Sequence, residues 1–188
     1  MVIDLLHRTF EPEEAGIAFL YCDYKERKQH TALNLISSLV QQLVQRQSDI
    51  SEDVTAFYTK GMSKHTRPKL DDYSNLLRSE LGRFPKTYIV IDALDEYIEK
   101  DGTRRTLLEQ LQLLRHKVNL LVTSRHLAAL DSEFEVDATL EISANKEDIE
   151  RYLRSQIHHN RNLATYASKF PQLEDEIVAS ISARAQGM

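Results

Sequence analysis

The stretch from Thr87 to Glu96 reads Thr-Tyr-Ile-Val-Ile-Asp-Ala-Leu-Asp-Glu and is the part of the chain that best predicts its fold. The four residues from Tyr88 to Ile91 are apolar or aromatic without polar alternation, which is typical of a strand buried on both faces of a parallel sheet. The run ends at Asp92, and two more carboxylates follow at Asp95 and Glu96. Because open α/β sheets bind ligands beyond the carboxyl ends of their strands, this strand predicts a site for a divalent cation and a phosphate ester.

The acidic cluster after this strand has the pattern called Walker B. In that pattern one acid can hold Mg²⁺, and a neighbouring acid can orient or deprotonate an attacking water. A strand-end aspartate alone is common, and its simpler interpretation is a buried strand that runs into an acidic, solvated turn. The complete Asp-Ala-Leu-Asp-Glu sequence favours the nucleotide site over the simpler interpretation.

The composition is that of one globular domain. The chain has 188 residues, of which 28% are charged and 41% hydrophobic, and its net charge is -5. The negative charge argues against nucleic acid as a partner, and no apolar run approaches the length of a membrane span. A single cysteine, Cys22, excludes an internal disulfide and, without a targeting signal, predicts a cytoplasmic location. Cys22 lies in a strand-like run and is predicted to be buried rather than reactive.

Strand and helix patterns alternate along the chain, which predicts an α/β fold with a parallel sheet and flanking helices. Apolar runs predict four strands, at Gly16 to Cys22, Tyr88 to Ile91, Val118 to Thr123 and Ala138 to Ile142. Apolar residues at helical spacing predict helices at Met1 to Phe10, Thr31 to Arg46, Ile50 to Lys60, Asp71 to Leu81, Arg104 to His116, Lys146 to His158 and Leu173 to Ala185.

Particular residues are predicted to begin or end these helices, or to face solvent on them. Thr31 and Asn145 are the predicted N-caps, because their side-chain oxygens can accept from the first free backbone N–H groups. Gly61 is the predicted stop of the helix that begins near Ile50. Polar residues opposite the apolar stripe of the Thr31 helix are predicted to face water; they are Gln41, Gln42, Gln45 and Arg46.

Polar residues also follow the strand on either side of the acidic one. Asp23 follows the first strand, and Thr123-Ser124-Arg125 follows the strand after the acidic one. An arginine or a hydroxyl at that position can sense a γ-phosphate, since the charge that develops there needs a fixed donor. The simpler interpretation of Arg125 is a surface arginine after a buried strand.

The segments Phe-Leu-Tyr-Cys-Asp-Tyr-Lys, Ile-Val-Ile-Asp-Ala-Leu-Asp-Glu and Leu-Leu-Val-Thr-Ser-Arg resemble the NACHT-type signal-transduction NTPases. More narrowly, they resemble the nephrocystin-like NACHT modules of fungal ankyrin- or WD-repeat proteins related to NOD-like receptors. The resemblance spans almost the whole chain and implies a P-loop NTPase-like sheet with a helical C-terminal portion. It implies a partial NACHT nucleotide-binding domain over residues 1–160 and the start of the following helical region over residues 161–188.

The resemblance also implies the roles of the site residues and the cofactors, which are Mg²⁺ and ATP or GTP. Asp92 corresponds to the Mg²⁺-associated Walker B acid, and Arg125 corresponds to the sensor at the γ-phosphate. Asp95 and Glu96 correspond to the acidic pair near the attacking water.

The P-loop of that family, Gly-x-x-x-x-Gly-Lys-Ser/Thr, has no counterpart in this sequence, because no glycine is followed by Lys-Ser or Lys-Thr. A P-loop supplies the N–H groups that cradle the phosphates, a lysine for the β- and γ-phosphates and a hydroxyl for Mg²⁺. ATP or GTP hydrolysis by this chain alone is therefore not expected. The resemblance further implies that the chain corresponds to the middle of a larger receptor.

By analogy with the family, the missing P-loop strand lies between the strands at Val118 and Ala138. Without it, those two strands are expected either to leave a gap or to pair directly. Either outcome leaves unpaired backbone groups and apolar surface, so the chain is expected to be marginally stable and prone to association.

Two functions remain open from the sequence. The first is a partial NACHT switch module of an immunity or self/non-self recognition receptor, which acts through protein partners or self-association. The second is a non-enzymatic interaction domain that uses the helical surface from Thr31 to Lys60. An unrelated α/β hydrolase finds little support, because the sequence lacks a Gly-x-Ser-x-Gly elbow and its histidines lack metal-ligand spacing.

Overall fold

The computed structural model describes residues 2–23, 31–64, 67–96, 102–125, 137–143 and 145–185, which form two compact units, Met1–Glu135 and Val136–Met188. The first unit contains α1 (Val2–Thr9), β1 (Gly16–Tyr21), α2 (Ala32–Arg46), α3 (Glu52–Lys64), α4 (Leu70–Leu81), β2 (Thr87–Asp92), α5 (Thr103–Gln112) and β3 (Asn119–Val122). The second unit contains α6 (Lys146–His159), α7 (Arg161–Lys169) and α8 (Pro171–Arg184).

The strands form a parallel sheet in the order β1-β2-β3, which confirms the predicted α/β fold. The register runs from Gly16 opposite Thr87 to Tyr21 opposite Asp92, and β3 continues it with Val122 opposite Ile91. All three strands therefore end at the same edge of the sheet. The helical C-terminal portion is also confirmed, by α6 to α8.

One face of the sheet carries the main hydrophobic core. Helices α2, α4 and α5 pack there, and α2 contacts β1, α4 and α5. The largest fully buried apolar side chains are Ile36, Leu39, Leu43, Leu77, Ile89, Ile91, Leu94, Leu107, Leu108 and Leu111. Leu94 belongs to this core, and it anchors the acidic turn that follows β2.

The other face of the sheet is covered in part by α1, in which Ile3 is buried. Phe10, just after α1, stacks on Tyr88 with ring centroids 5.2 Å apart. Leu121 of β3 and Tyr21 of β1 remain 42% and 49% exposed. Parallel sheets are usually covered on both faces. This face differs, because it retains exposed apolar surface at Leu121 and Tyr21.

Two side chains of α2 hydrogen-bond to backbone groups at the outer edge of β1 and just before this strand. The Gln42 amide accepts from the backbone N–H of Phe19 and donates to its carbonyl, both at 2.9 Å, as a neighbouring strand would. Arg46 donates from Nε to the Ala15 carbonyl at 2.6 Å. The prediction that Gln42 and Arg46 simply face water was therefore wrong, because an edge strand offers them unpaired backbone groups.

The predicted strand at Ala138–Ile142 was also wrong. These residues form no strand, and Leu140 and Ile142 are 82% and 85% exposed. An apolar run becomes a strand only where a neighbour takes its backbone hydrogen bonds and a packed layer covers its side chains. The exposure of Leu140 and Ile142 shows that no such layer covers them.

Several helix ends follow from local chemistry. Thr31 and Asn145 are confirmed as N-caps, since their side chains accept from the N–H groups of Asn34 and Asp148. Gly61 does not end α3, which continues to Lys64, because one interior glycine lowers helix stability by only about 1 kcal/mol.

The second unit contains a helix that the sequence patterns did not predict, α7. Asn160 caps it by accepting from the N–H groups of Asn162 and Leu163. A small core of Ile157, Ala167 and Val178 joins α6, α7 and α8. The domain boundary between residues 160 and 161 stays a prediction.

Candidate functional site

The acidic tip of β2 is shaped by a tight turn. Ala93 adopts a left-handed conformation with φ of 57°, and a 3₁₀ turn from Leu94 to Glu96 follows. The left-handed region costs a non-glycine residue roughly 1–2 kcal/mol, so other contacts must hold it. The side chain of Leu94, only 1% exposed, is one of these contacts. The turn places Asp92 and Asp95 at the edge where the strands end.

Thr123, which directly follows β3, bonds the acidic turn to its neighbouring strand. Its hydroxyl donates a short hydrogen bond to Oδ1 of Asp92 and accepts from the N–H of Ala93 at 3.0 Å. Its carbonyl accepts from the N–H of Leu94 at 2.9 Å, and its own N–H donates to the carbonyl of Ile91 at 2.9 Å. The ends of β2 and β3 are thus joined by both backbone and side-chain bonds.

Asp95 and Arg125 form an ion pair beside this junction. Oδ2 of Asp95 accepts from Nε of Arg125 at 2.5 Å, and Oδ1 accepts from the Arg125 backbone N–H at 3.0 Å. The Asp95 side chain is only 6% exposed, whereas that of Arg125 is 82% exposed. Burial would raise the pKa of Asp95, but the side-chain and backbone hydrogen bonds from Arg125 outweigh burial and hold the pKa below its usual value.

The charges of the acidic turn also act on Cys22, the residue after β1. Cys22 donates its N–H to the Asp92 carbonyl at 3.0 Å. Burial, then the negative charges of Asp92, Asp95 and Glu96, raise the pKa of the Cys22 thiol to about 12. The thiol is therefore protonated at neutral pH, and Cys22 is buried rather than reactive, as predicted.

The structure brings Asp92, Asp95 and Arg125 together at the ends of β2 and β3, and Glu96 lies half-buried in the same turn. Sequence patterns pointed to each of these residues separately. They identified Thr123 as one of the strand-end residues whose hydroxyl can sense a γ-phosphate, but they did not predict its bonds to Asp92 and Ala93, which depend on strand pairing. A hydroxyl after the strand next to the acidic one was the available signal.

The site fits one part of a Mg²⁺–phosphate centre. Within the described ranges, no group of three or more His, Cys, Asp or Glu side chains is arranged to hold a metal ion. Mg²⁺ in nucleotide sites is commonly held by one or two carboxylates, with phosphate oxygens and water as the other ligands. Asp92 fits the carboxylate position, and the guanidinium of Arg125 fits a phosphate contact.

A separate open groove of about 400 Å³ lies away from the acidic turn. Residues before and within β1, and residues of α1 and α2, line it; they are His7, Pro12, Ile17, Phe19, Gln42, Gln45 and Arg46. Its polar groups include Gln42 and Arg46, which already bind the backbone of the first strand region. We therefore place the candidate site at the acidic turn and not in this groove.

No helix among the described residues is both long enough and apolar enough to cross a membrane. No curated protein and no solved structure matches the chain. The family model described as Nephrocystin 3, N-terminal matches residues 1–125, about two thirds of the chain. The matched region contains β1, β2 and β3 and ends at Arg125, so it includes every residue of the candidate site. The chain therefore belongs to the family described as Nephrocystin 3, N-terminal.

Proposed function

We propose that the chain is a partial NACHT nucleotide-binding switch module of a signal-transduction NTPase, of the innate-immunity or heterokaryon-incompatibility type. The observation that carries the proposal is the convergence of Asp92, Asp95 and Arg125 where two adjacent parallel strands end. Nucleotides bind at this edge of α/β sheets. The family match supports the proposal because it covers this region completely.

In this function Asp92 would hold Mg²⁺, which would neutralise phosphate charge, and Arg125 would contact the γ-phosphate of ATP or GTP. Asp95 and Glu96 lie near the attacking water. Asp95 accepts from Nε of Arg125 in the structure. A guanidinium carries several N–H donors, so a phosphate oxygen can accept a charge-assisted hydrogen bond from another of them.

The chain carries no P-loop sequence, so we propose that it does not hydrolyse nucleotide by itself. In this proposal it works in the cytoplasm through protein partners or self-association, as one part of a fungal receptor. Nucleic acid is not proposed as a partner, since the net charge of the chain is -5. A membrane is not proposed either, since no apolar run approaches the length of a membrane span.

Titration with a fluorescent ATP analogue in the presence of Mg²⁺ tests the proposal. We expect weak, Mg²⁺-dependent binding that decreases in Asp92→Asn and in Arg125→Ala, and competition by unlabelled ATP and GTP identifies the base. Arg105→Ala is the matched control, because it also removes an exposed arginine, one that pairs with Glu109 on α5. Absence of binding by the unaltered chain, or an equal loss in Arg105→Ala, would contradict the proposal.

The second candidate is a non-enzymatic interaction domain that uses the surface from Thr31 to Lys60. Two exposed side chains in this region favour it, Ile50 and Tyr58, each 68% exposed. Large exposed apolar residues are common at protein interfaces when they cluster. If the ATP analogue does not bind and Tyr58→Ala abolishes capture of a protein partner, this candidate replaces the first.

A further inference from the structure

The hydroxyl of Thr123 holds two groups of the acidic turn at once. A threonine hydroxyl has one hydrogen to donate, and an ionised carboxylate can only accept. The single hydrogen is therefore directed at Oδ1 of Asp92, and a lone pair of the same oxygen accepts from the N–H of Ala93. This arrangement fixes the direction of the carboxylate and of the following peptide together.

The backbone of Thr123 fixes the position of its hydroxyl. Its N–H and its carbonyl bond to Ile91 and Leu94, one on each side of Ala93, both at 2.9 Å. A β-branched side chain has few rotamers, so the oxygen is confined once the backbone is placed. Thr123 thus makes four hydrogen bonds to the segment from Ile91 to Leu94, which contains the left-handed Ala93.

The conformation of Ala93 decides where the next carboxylate lies. The chain reverses at Ala93 and enters the turn of Leu94 to Glu96, which presents Asp95 to the backbone and side chain of Arg125. A different φ at Ala93 would rotate this turn away from the end of β3. The position of Asp95 therefore depends on contacts made one strand away.

We propose that Thr123 is a positioning residue of the candidate site, which directs the Asp92 carboxylate and holds the left-handed Ala93 that brings Asp95 to Arg125. The geometric part of the inference concerns the chain itself. Its consequence for ligand binding rests on the proposed function.

The test compares Thr123→Val, which keeps the shape and removes the hydroxyl, with Thr123→Ser, which keeps the hydroxyl. The first readout is the NMR signature of Ala93, namely its Cα and Cβ chemical shifts, which report φ, and the exchange rate of its amide proton. We expect Thr123→Val to lose the left-handed shifts and to exchange about tenfold faster, as for one lost hydrogen bond of about 1.4 kcal/mol. In Thr123→Ser the exchange rate of the Ala93 amide proton should stay within about twofold of its rate in the unaltered chain.

Thr55→Val is the matched control, since Thr55 is exposed on α3 and its hydroxyl donates to the helix carbonyl of Ser51. It should leave the Ala93 signals unchanged. Unchanged Ala93 shifts and exchange in Thr123→Val would overturn the proposal. So would an equal change in Thr123→Ser, because the hydroxyl would then not be the cause.

Ala93→Gly keeps the test decisive if Thr123→Val folds poorly, because glycine adopts positive φ without steric cost. We expect this substitution to stabilise the Thr123→Val chain less than it stabilises the unaltered chain, because an Ala93 that has left the left-handed region no longer carries its strain; a double-mutant cycle measures the difference. Equal effects in both backgrounds would overturn the proposal.

Binding of the ATP analogue with Mg²⁺ separates this proposal from the proposed function. We expect about tenfold weaker binding in Thr123→Val and recovery in Thr123→Ser, since a hydrogen bond to a charged group is lost and restored. If the unaltered chain does not bind the analogue, the proposed function fails while the Ala93 signals still decide the role of Thr123. If the analogue binds equally well to Thr123→Val, the positioning role fails and the nucleotide site stands.

Discussion

At the scale of single residues, the site consists of two coupled pairs, Asp92 with Thr123 and Asp95 with Arg125. The partners in each pair come from different strand ends, and both carboxylates accept hydrogen bonds from side-chain donors of the chain. Asp95 is the more buried member of its pair, so its charge depends on the guanidinium next to it. This dependence predicts a pH effect on stability.

Asp95→Asn is expected to lower the free energy of unfolding at neutral pH and to lower it by less in acid. Because the folded-state pKa of Asp95 is lowered, folding favours its ionised form, and its contribution is present above the unfolded pKa of about 3.9. The contribution is lost as the pH falls through the lower folded-state pKa. Urea unfolding of both chains between pH 7 and about pH 3 measures the difference in the free energy of unfolding.

The control for this prediction is Asp71→Asn, since Asp71 is an exposed carboxylate in the first turn of α4. The change in the free energy of unfolding that Asp71→Asn causes should vary less with pH than the change that Asp95→Asn causes. A difference between Asp95→Asn and the unaltered chain that stays constant across this pH range would contradict the assigned ion pair.

At the scale of elements, close packing decides whether Gly16 and Gly61 can be replaced by a larger residue. A Cβ added at Gly16, the first residue of β1, would lie 2.9 Å from Cδ2 of Leu43 and from Cδ2 of Phe84. A Cβ added at Gly61, inside α3, would meet no atom within 4 Å. The strand needs its glycine for close approach to the core, whereas the helix tolerates one.

The same substitution should therefore have opposite effects at the two positions. Gly16→Ala is expected to destabilise the chain by about 1–3 kcal/mol through overpacking. Gly61→Ala is expected to stabilise it by roughly 0.5–1 kcal/mol, because alanine has the higher helix propensity. Urea unfolding measures both values, and effects of the same sign would contradict the packing of β1 or the continuity of α3.

At the scale of the whole molecule, the two edges of the sheet differ. The outer edge of β1 is bonded to Gln42, whereas β3 pairs with β2 alone within the described part of the chain. Leu121, in the middle of β3, is 42% exposed. Unpaired edges with exposed apolar residues promote association of chains, so the expected tendency to associate concerns this edge above all.

We expect the chain to elute with an apparent mass that rises with concentration, and Leu121→Lys to reduce this rise, because a charge on an edge strand opposes strand pairing. Leu113→Lys is the control, since Leu113 is 67% exposed and lies at the end of α5, outside the sheet. Size-exclusion chromatography with light scattering measures the mass. A monomeric profile at every concentration, together with a cooperative melt at an ordinary temperature, would contradict the prediction.

The sequence by itself determined the features that short segments encode. The apolar run before Asp92 predicted the buried strand β2, and the oxygens of Thr31 and Asn145 predicted two helix starts. These features depend on periodicity and on bonds between residues three or four apart, so local chemistry suffices for them.

Only the tertiary structure decided which distant groups meet. Thr123 bonds to Asp92 across 31 residues, and Gln42 bonds to Phe19 across 23, because strand register and helix packing bring them together. The same dependence explains the error at Ala138–Ile142, where an apolar pattern forms no strand. A strand exists only with a partner for its backbone, and a site exists only where strand ends align, so neither can be deduced from the segment alone.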